Sequence, residues 1–349
     1  MRFDAKRILI ILHGSIGDVT RALPLVALLR RSYPTATLAW AVERPAHPLV
    51  EHYPGLNEVI LFDRRRWWWD LAPFLLKIRA RRFDLVLDLQ RHFKSGMISL
   101  FSGAPHRVGF NRLDTKELNW LFNNHFIPPV GEGISKLAHY LKFVEYLGID
   151  PGPIAWQMEL TQEEQNTVDR HLAGTRSAFA VLFVGARWQS KQWFPTQIAE
   201  CARLLQERYR LAVVFLGGQE DDALAHESEK QSNLRVTNLV GRTSLREAMG
   251  IVARAKVAVG PDTGLMHIAA AVGTPVVSLW GATSPERAGP HGFMDLIVQG
   301  QAPCAPCYFR RCRIGRICMQ SIHVQDVAAK IDLALSQGSS ERFLHDGSA

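Results

Sequence analysis

Three short segments of this 349-residue chain set glycine beside charged side chains in a way that suits an anionic ligand. The first, Gly14-Ser15-Ile16-Gly17-Asp18, stands between an apolar run and a helix-spaced one. A loop at that place presents unpaired backbone N–H groups and the positive end of a helix dipole, so something negative or polar belongs there. Its glycines are separated by two residues and the next helix lacks a third, so this is not the G-x-G-x-x-G dinucleotide fingerprint, and a nicotinamide dehydrogenase is disfavoured. Asp18 reads either as an N-cap, a common satisfied use of aspartate, or as a general base. A helix N-terminus keeps its carboxyl ionised and makes it a weaker base, one that takes its proton late in a reaction.

The second segment runs from Gly185 and Ala186 through Arg187-Trp188-Gln189-Ser190-Lys191-Gln192-Trp193-Phe194 to Pro195. Lys191, flanked by aromatics, fits a phosphate-binding lysine in a loop over strand ends, and equally an ordinary surface lysine. The third, Gly260-Pro261-Asp262-Thr263-Gly264-Leu265-Met266-His267, continues into Ile268-Ala269-Ala270-Ala271, a strand end passing into a small-residue helix. Thr263 and Gly264 allow a pyrophosphate close to the backbone N–H groups. The competing reading is a capped helix packed on a sheet with His267 in the interior. Its density of Asp, Thr, Gly and His makes this the most specific local signal of the three.

The elements that position these loops are legible from apolar periodicity. Arg7–Leu12 is a continuous apolar run of the kind buried on both faces of a parallel sheet. Val19, Leu23, Val26, Ala27 and Leu29 then recur at helical spacing until Ser32-Tyr33-Pro34. Strand-like runs follow at Thr37–Val42, Val59–Phe62 and Leu85–Leu89, with a helical stretch over Leu71–Arg81. A weaker Gly-, Pro- and Asn-rich region, Asn111–Pro153, leads to a second series of strands at Phe179–Val184, Leu211–Leu216, Arg235–Asn238, Val257–Val259 and Val276–Leu279. This alternation predicts two α/β domains, residues 1–160 and 161–335, each a parallel, doubly wound sheet, followed by a polar tail over 336–349. Such sheets bind ligands at the carboxyl ends of their strands, so two facing crevices predict one interdomain cleft.

Composition bounds the partners. Hydrophobic residues are 47% and charged residues 21%, the balance of a folded globular protein. No apolar run reaches the roughly 18–20 residues that span a bilayer. Met1–Lys6 lead straight into a strand-like run rather than a signal peptide's apolar core, which predicts a cytoplasmic protein. The net charge of +8 favours an anionic partner, whether nucleic acid, phosphorylated small molecule or anionic lipid. Arg64, Arg65 and Arg66, followed by Trp67-Trp68-Trp69, suit a phosphorylated sugar core or a membrane edge, and equally a solvated turn before a helix that buries its indoles. Cys304, Cys307, Cys312 and Cys318 supply enough thiolates for a structural zinc, although the last spacing is not that of a common zinc ribbon, and free thiols are the other reading.

Taken together, Gly14 to Val19, Gly185 to Pro195 and Pro261 to Ala271 resemble glycosyltransferase family 9, the bacterial ADP-heptose:lipopolysaccharide heptosyltransferases. The motifs occur in order through nearly the whole chain, with Phe194 between Trp193 and Pro195 as a departure. The resemblance implies a GT-B fold of two Rossmann-like domains, the N-terminal one meeting the acceptor and the C-terminal one holding the donor. It implies an inverting, metal-independent transfer of heptose from ADP-heptose to the lipopolysaccharide inner core, with no cofactor and no nucleic-acid partner, at the inner face of the inner membrane in peripheral contact with anionic lipid. By position Asp18 matches the catalytic base and Lys191 the lysine on the donor phosphates. Asp262, Thr263, Gly264, Leu265 and His267 match the donor loop, with Gly185 and Ala186 beside it. Glu220 matches the acidic ribose-binding residue and Thr243 the adenine pocket; Ser15 and Arg64–Trp67 fall on the acceptor or membrane edge. A related GT-B transferase using another nucleotide sugar, and a nucleic-acid-binding protein, are the alternatives.

Overall fold

The computed structural model describes residues 3–63, 67–131, 133–175 and 178–340. The chain divides into two compact units at Glu159/Leu160. The first contains β1 (Arg7–Ile11), β2 (Thr37–Glu43), β3 (Glu58–Phe62), β4 (Leu85–Asp88), β5 (His106–Gly109) and β6 (His125–Phe126). They form one sheet in the order β3-β2-β1-β4-β5-β6, every neighbouring pair parallel. The second unit contains β7 (Phe179–Phe183), β8 (Ala212–Leu216), β9 (Thr237–Asn238), β10 (Val257–Pro261), β11 (Val276–Trp280) and β12 (Ile297–Gln299). Its order, β12-β11-β10-β7-β8-β9, is again fully parallel. Both units therefore carry the doubly wound order, in which the winding reverses beside the first strand.

Period-two alternation sends each central strand's side chains into different cores, which is why these runs are apolar throughout. In β7 and the residue after it, Ala180, Leu182 and Val184 pack with Ile198, Cys201 and Leu205 of helix Pro195–Glu207. Phe179, Val181 and Phe183 pack instead with Ile251 and Val252 of helix Leu245–Ala253. The approach of β10 to β7 requires Gly260, since a Cβ there would stand 2.6 Å from that of Phe183.

The structure departs from the periodicity at identifiable places. The run Val19–Leu29 is two helices, Ile16–Ala22 and Pro24–Ser32, because Pro24 has no N–H to continue the first and is well placed to start the second. Strands β5, β6 and β12 have four residues or fewer, and such short strands leave little periodic signal. The last helix, Val324–Ser340, continues beyond the Ser336 start of the expected tail, anchored by buried Val327, Ile331 and Ala334. Among the described residues, no helix is long and apolar enough to cross a membrane.

Leu9 lies at the centre of β1, fully buried among Ile11, Ala39, Ile60, Val86 and Ile98. Leu9→Ala is expected to destabilise the first unit by about 2–5 kcal/mol, the transfer term plus the cavity left behind. Urea unfolding checks this, and a change below about 1 kcal/mol would contradict the packing described.

Candidate active site

In the first unit the winding reverses between β1 and β4, and the loops after both strands meet there. Gln90 Nε2 donates to the Gly14 carbonyl at 3.1 Å, joining the two loops. Ser15 is the N-cap of helix Ile16–Ala22, so Asp18 is its third residue rather than its cap. The Asp18 carboxylate reaches back to Ser15, accepting from its backbone N–H at 3.4 Å and its hydroxyl at 3.2 Å.

Asp18 also meets two cations and a phenol. Arg21, one turn along the same helix, approaches to 2.7 Å. Lys136 Nζ is 2.6 Å away, and Tyr140 Oη donates at 3.3 Å. Lys136 and Tyr140 are four residues apart on helix Lys136–Tyr146 and so share a face. Burial alone raises the Asp18 pKa, but the charges and hydrogen bonds of Lys136 and Arg21 outweigh it and hold the carboxyl well below the usual range. Burial and the adjacent Asp18 push the Tyr140 phenol well above its ordinary value, so it stays protonated as a donor.

Asp88, at the end of β4, supports this loop pair from beneath. Its carboxylate is buried and accepts from Asn119 Nδ2 at 2.7 Å, Asn123 Nδ2 at 3.3 Å and the Gln90 N–H at 3.2 Å. Burial dominates and lifts its pKa to about 6, opposed by the hydrogen bonds of Asn119, Ser95, Asn123 and Gln90.

In the second unit the reversal lies between β7 and β10, the strands that precede the Lys191 loop and the Asp262 turn. Lys191 Nζ meets Asp262 Oδ2 at 2.5 Å, and Thr283 Oγ1 donates to the same oxygen at 2.8 Å. Lys191 Nζ also lies 4.5 Å from the Trp188 ring centre. Thr263 caps helix Gly264–Ala271; Thr263, Gly264 and Leu265 are half-buried and His267 is buried. Ala186 is buried, its carbonyl accepting from Gln192 Nε2 at 3.1 Å.

Gly185 abuts the Asp221 side chain so closely that a Cβ would stand 1.8 Å from Asp221 Oδ1. Asp221 is itself buried and accepts from the Gly218 N–H at 2.9 Å, while neighbouring Glu220 is exposed. Gly241 N–H donates to the Gly217 carbonyl at 3.1 Å, which brings the turn carrying half-buried Thr243 to the same edge. The structure thus sets Asp262, Lys191, Gly185, Glu220 and Thr243 along the carboxyl edge of one sheet. Arg64, Arg65 and Arg66 lie outside the described residues, and Trp67 is the first residue of helix Trp67–Arg79.

The zinc reading of the four cysteines finds no support: among the described residues no three of His, Cys, Asp or Glu converge as metal ligands. Cys304 is exposed and Cys318 buried, and Cys312 Sγ accepts from the Arg316 N–H at 3.1 Å. Burial, with smaller contributions from Cys307, Cys312 and Cys304, raises the Cys318 thiol pKa.

Residues 73–318 match the family model for glycosyltransferase family 9 (heptosyltransferase). The chain is 24% identical to the lipopolysaccharide core heptosyltransferase OpsX of Haemophilus influenzae, over 84% of each protein. The crystal structure of a family 9 glycosyl transferase from Veillonella parvula superposes with a TM-score of 0.82 at 19% identity, covering 97% of this chain and 99% of that one. That of the E. coli ADP-heptose lps heptosyltransferase II gives 0.75 at 23% identity, covering 96% of this chain and 100% of that one. These likenesses establish the GT-B fold.

The Asp88 site makes a pH prediction. Its folded pKa of about 6 lies above the ordinary 3.8, so the fold holds a proton that the unfolded chain has released. Its contribution to stability therefore falls as pH rises from about 4 to about 6 and stays low above that. Asp88→Asn removes this dependence. The difference in unfolding free energy between wild type and variant is expected to shift by roughly 1–3 kcal/mol between pH 4 and 7, wild type being the one that weakens. A constant difference across that range would refute the assignment.

Proposed function

We propose that this chain, which belongs to glycosyltransferase family 9 (heptosyltransferase), transfers a heptose from ADP-heptose to the inner core of lipopolysaccharide, with inversion and without a catalytic metal. The observation that carries this reading is the Lys191–Asp262 pair at the winding reversal of the second sheet, beside the Thr263–Gly264 turn. Cleavage at the anomeric carbon builds negative charge on the departing diphosphate. Lys191 and the N–H groups at the start of helix Gly264–Ala271 supply fixed positive charge where that charge develops. In this reading the phosphates take over Lys191 from Asp262, Thr283 retains Asp262, and Glu220 and Thr243 receive the ribose and adenine farther along the edge.

Asp18 is the base in this scheme. It must face the anomeric carbon opposite the leaving group while turnover proceeds, so that the acceptor hydroxyl attacks as it loses its proton. A carboxylate held by Lys136 and Arg21 is weakly basic. Proton transfer to it comes late, once the hydroxyl has begun to bond to an oxocarbenium-like carbon and has become acidic. Peripheral association with the anionic membrane that bears the acceptor, on the cytoplasmic side, completes the reading.

Labelled ADP-heptose offered with a deacylated core acceptor tests the substrate pair. Transfer with an inverted anomeric centre, read by NMR of the product, is expected; far more efficient use of a different nucleotide sugar would overturn the donor assignment. Lys191→Ala is expected to lower turnover by about a hundredfold or more. Asp18→Asn should cost about 10²–10⁴-fold, and transfer at the wild-type rate would remove Asp18 from the chemistry.

Lys136→Gln takes away one of the two cations holding Asp18 ionised, while Arg21, Ser15 and Tyr140 remain around it. The Asp18 pKa then rises, and because the base must be ionised, the acid limb of the kcat/KM profile moves to higher pH. An unmoved limb would separate Lys136 from the protonation state of Asp18.

A further inference from the structure

The arginine-rich loop that carries the four cysteines is fastened to the Lys191 loop. Ser190 donates through its hydroxyl to the Phe309 carbonyl and through its N–H to that of Arg310. The Cys312 N–H donates to Gln189 Oε1 at 3.1 Å, and Arg316 Nη1 donates to the Gln192 carbonyl at 2.9 Å. The Arg316 guanidinium also covers the Phe194 ring, 4.0 Å from its centre. Bonds at Gln189, Ser190 and Gln192 thus bracket Lys191 on both sides, and the two loops hold a common geometry.

This joint brings a second cation to the ring that already carries the first. Arg310 Cζ lies 5.9 Å from the centre of the Trp188 ring, the same ring that carries Lys191 Nζ at 4.5 Å. Neither residues 170–199 nor residues 296–325 contain an Asp or a Glu. Arg310, Arg311 and Arg313 are exposed, and none meets a carboxylate among the described residues. Asp262, the carboxylate that Lys191 meets, is already shared with Thr283. Two like charges on one indole repel each other, and the attraction of the ring face offsets this only in part. An anion that engages both relieves the repulsion, and a guanidinium's planar fork suits phosphate oxygens.

We propose that Arg310 is a second diphosphate ligand of the donor site, held in place by its loop's attachment around Lys191 and by the Trp188 ring. The ligand class is a nucleoside diphosphate, the group common to the donor and to the product it leaves behind. The inference rests on the reading of Lys191 as a phosphate-binding lysine. Arg313, whose guanidinium sits instead over Phe309 at 5.4 Å, contributes the same net charge from the same loop without sharing Trp188.

Calorimetric titration of the full-length protein with ADP and with adenosine tests this. Arg310→Gln is expected to weaken ADP about fivefold to tenfold, with Arg310→Lys between it and wild type, because a point charge replaces a planar fork. The salt dependence of ADP binding should become shallower in Arg310→Gln. Adenosine affinity and the thermal midpoint should not change. Arg313→Gln should leave ADP affinity within about twofold, since exposed charge at a distance is largely screened. Equal losses in the two Gln variants would overturn the proposal in favour of a diffuse basic field. Unchanged ADP binding in Arg310→Gln alongside a loss in Lys191→Ala would overturn it while leaving the Lys191 reading intact. Failure of wild type to bind ADP would overturn both.

Discussion

A parallel sheet sends every strand's carboxyl end to one edge, and where the winding reverses, two adjacent strands send their following helices to opposite faces. The gap this leaves is the one place on the sheet where loops from distant sequence can converge on a ligand. Both units bring loops together at that point. Between β1 and β4, Gln90 clasps the loop of Ser15 and Asp18; between β7 and β10, Lys191 pairs with Asp262. Gly260 permits the strand approach that the second pairing needs, since any larger residue would strike Phe183. The chemistry is thus set first by strand order and only then by side-chain identity.

The two sites differ in the charge they hold. Asp18 is a carboxylate surrounded by donors: Arg21 and Lys136 keep it ionised, and Tyr140 and Ser15 fix its orientation. Lys191 is a cation paired with Asp262, which is in turn held by Thr283. The first arrangement favours an anion whose basicity is kept low. The second suits a cation that an incoming anion can draw away, because its carboxylate partner keeps a second hydrogen bond.

The long central strands and the three glycine-bearing loops were legible in sequence because strands buried on both faces are apolar without interruption and their loops carry distinctive residue types. The match to glycosyltransferase family 9 was legible for the same reason, through three motifs in order. The short strands β5, β6 and β12 were not, since two to four residues give periodicity little to act on. Arg21 was within reach of sequence reasoning, three residues after Asp18 on one helix face. Lys136 was not: it stands 118 residues from Asp18 and becomes its partner only through packing of two helices. Asp88 was equally hidden, ending a strand like any other until Asn119 and Asn123 folded over it. The cysteine spacing allowed a metal set, but among the described residues no three such ligands converge, although Cys307, Cys312 and Cys304 stand near enough to Cys318 to raise its thiol pKa.

The contact between Gly185 and Asp221 joins two loops that sequence treats as separate. A single methyl added at Gly185 would meet the Asp221 carboxylate, which is itself tied to the Gly218 N–H. Arg187 faces solvent and can drift one mutation at a time. Position 185 has no such freedom: a descendant enzyme that acquired a side chain there would first have to shorten or redirect residue 221, reshaping the turn that leads to Glu220. Any lineage that remodels the start of the lysine loop must therefore remodel the neighbouring turn in step, so the two can diversify only as a pair.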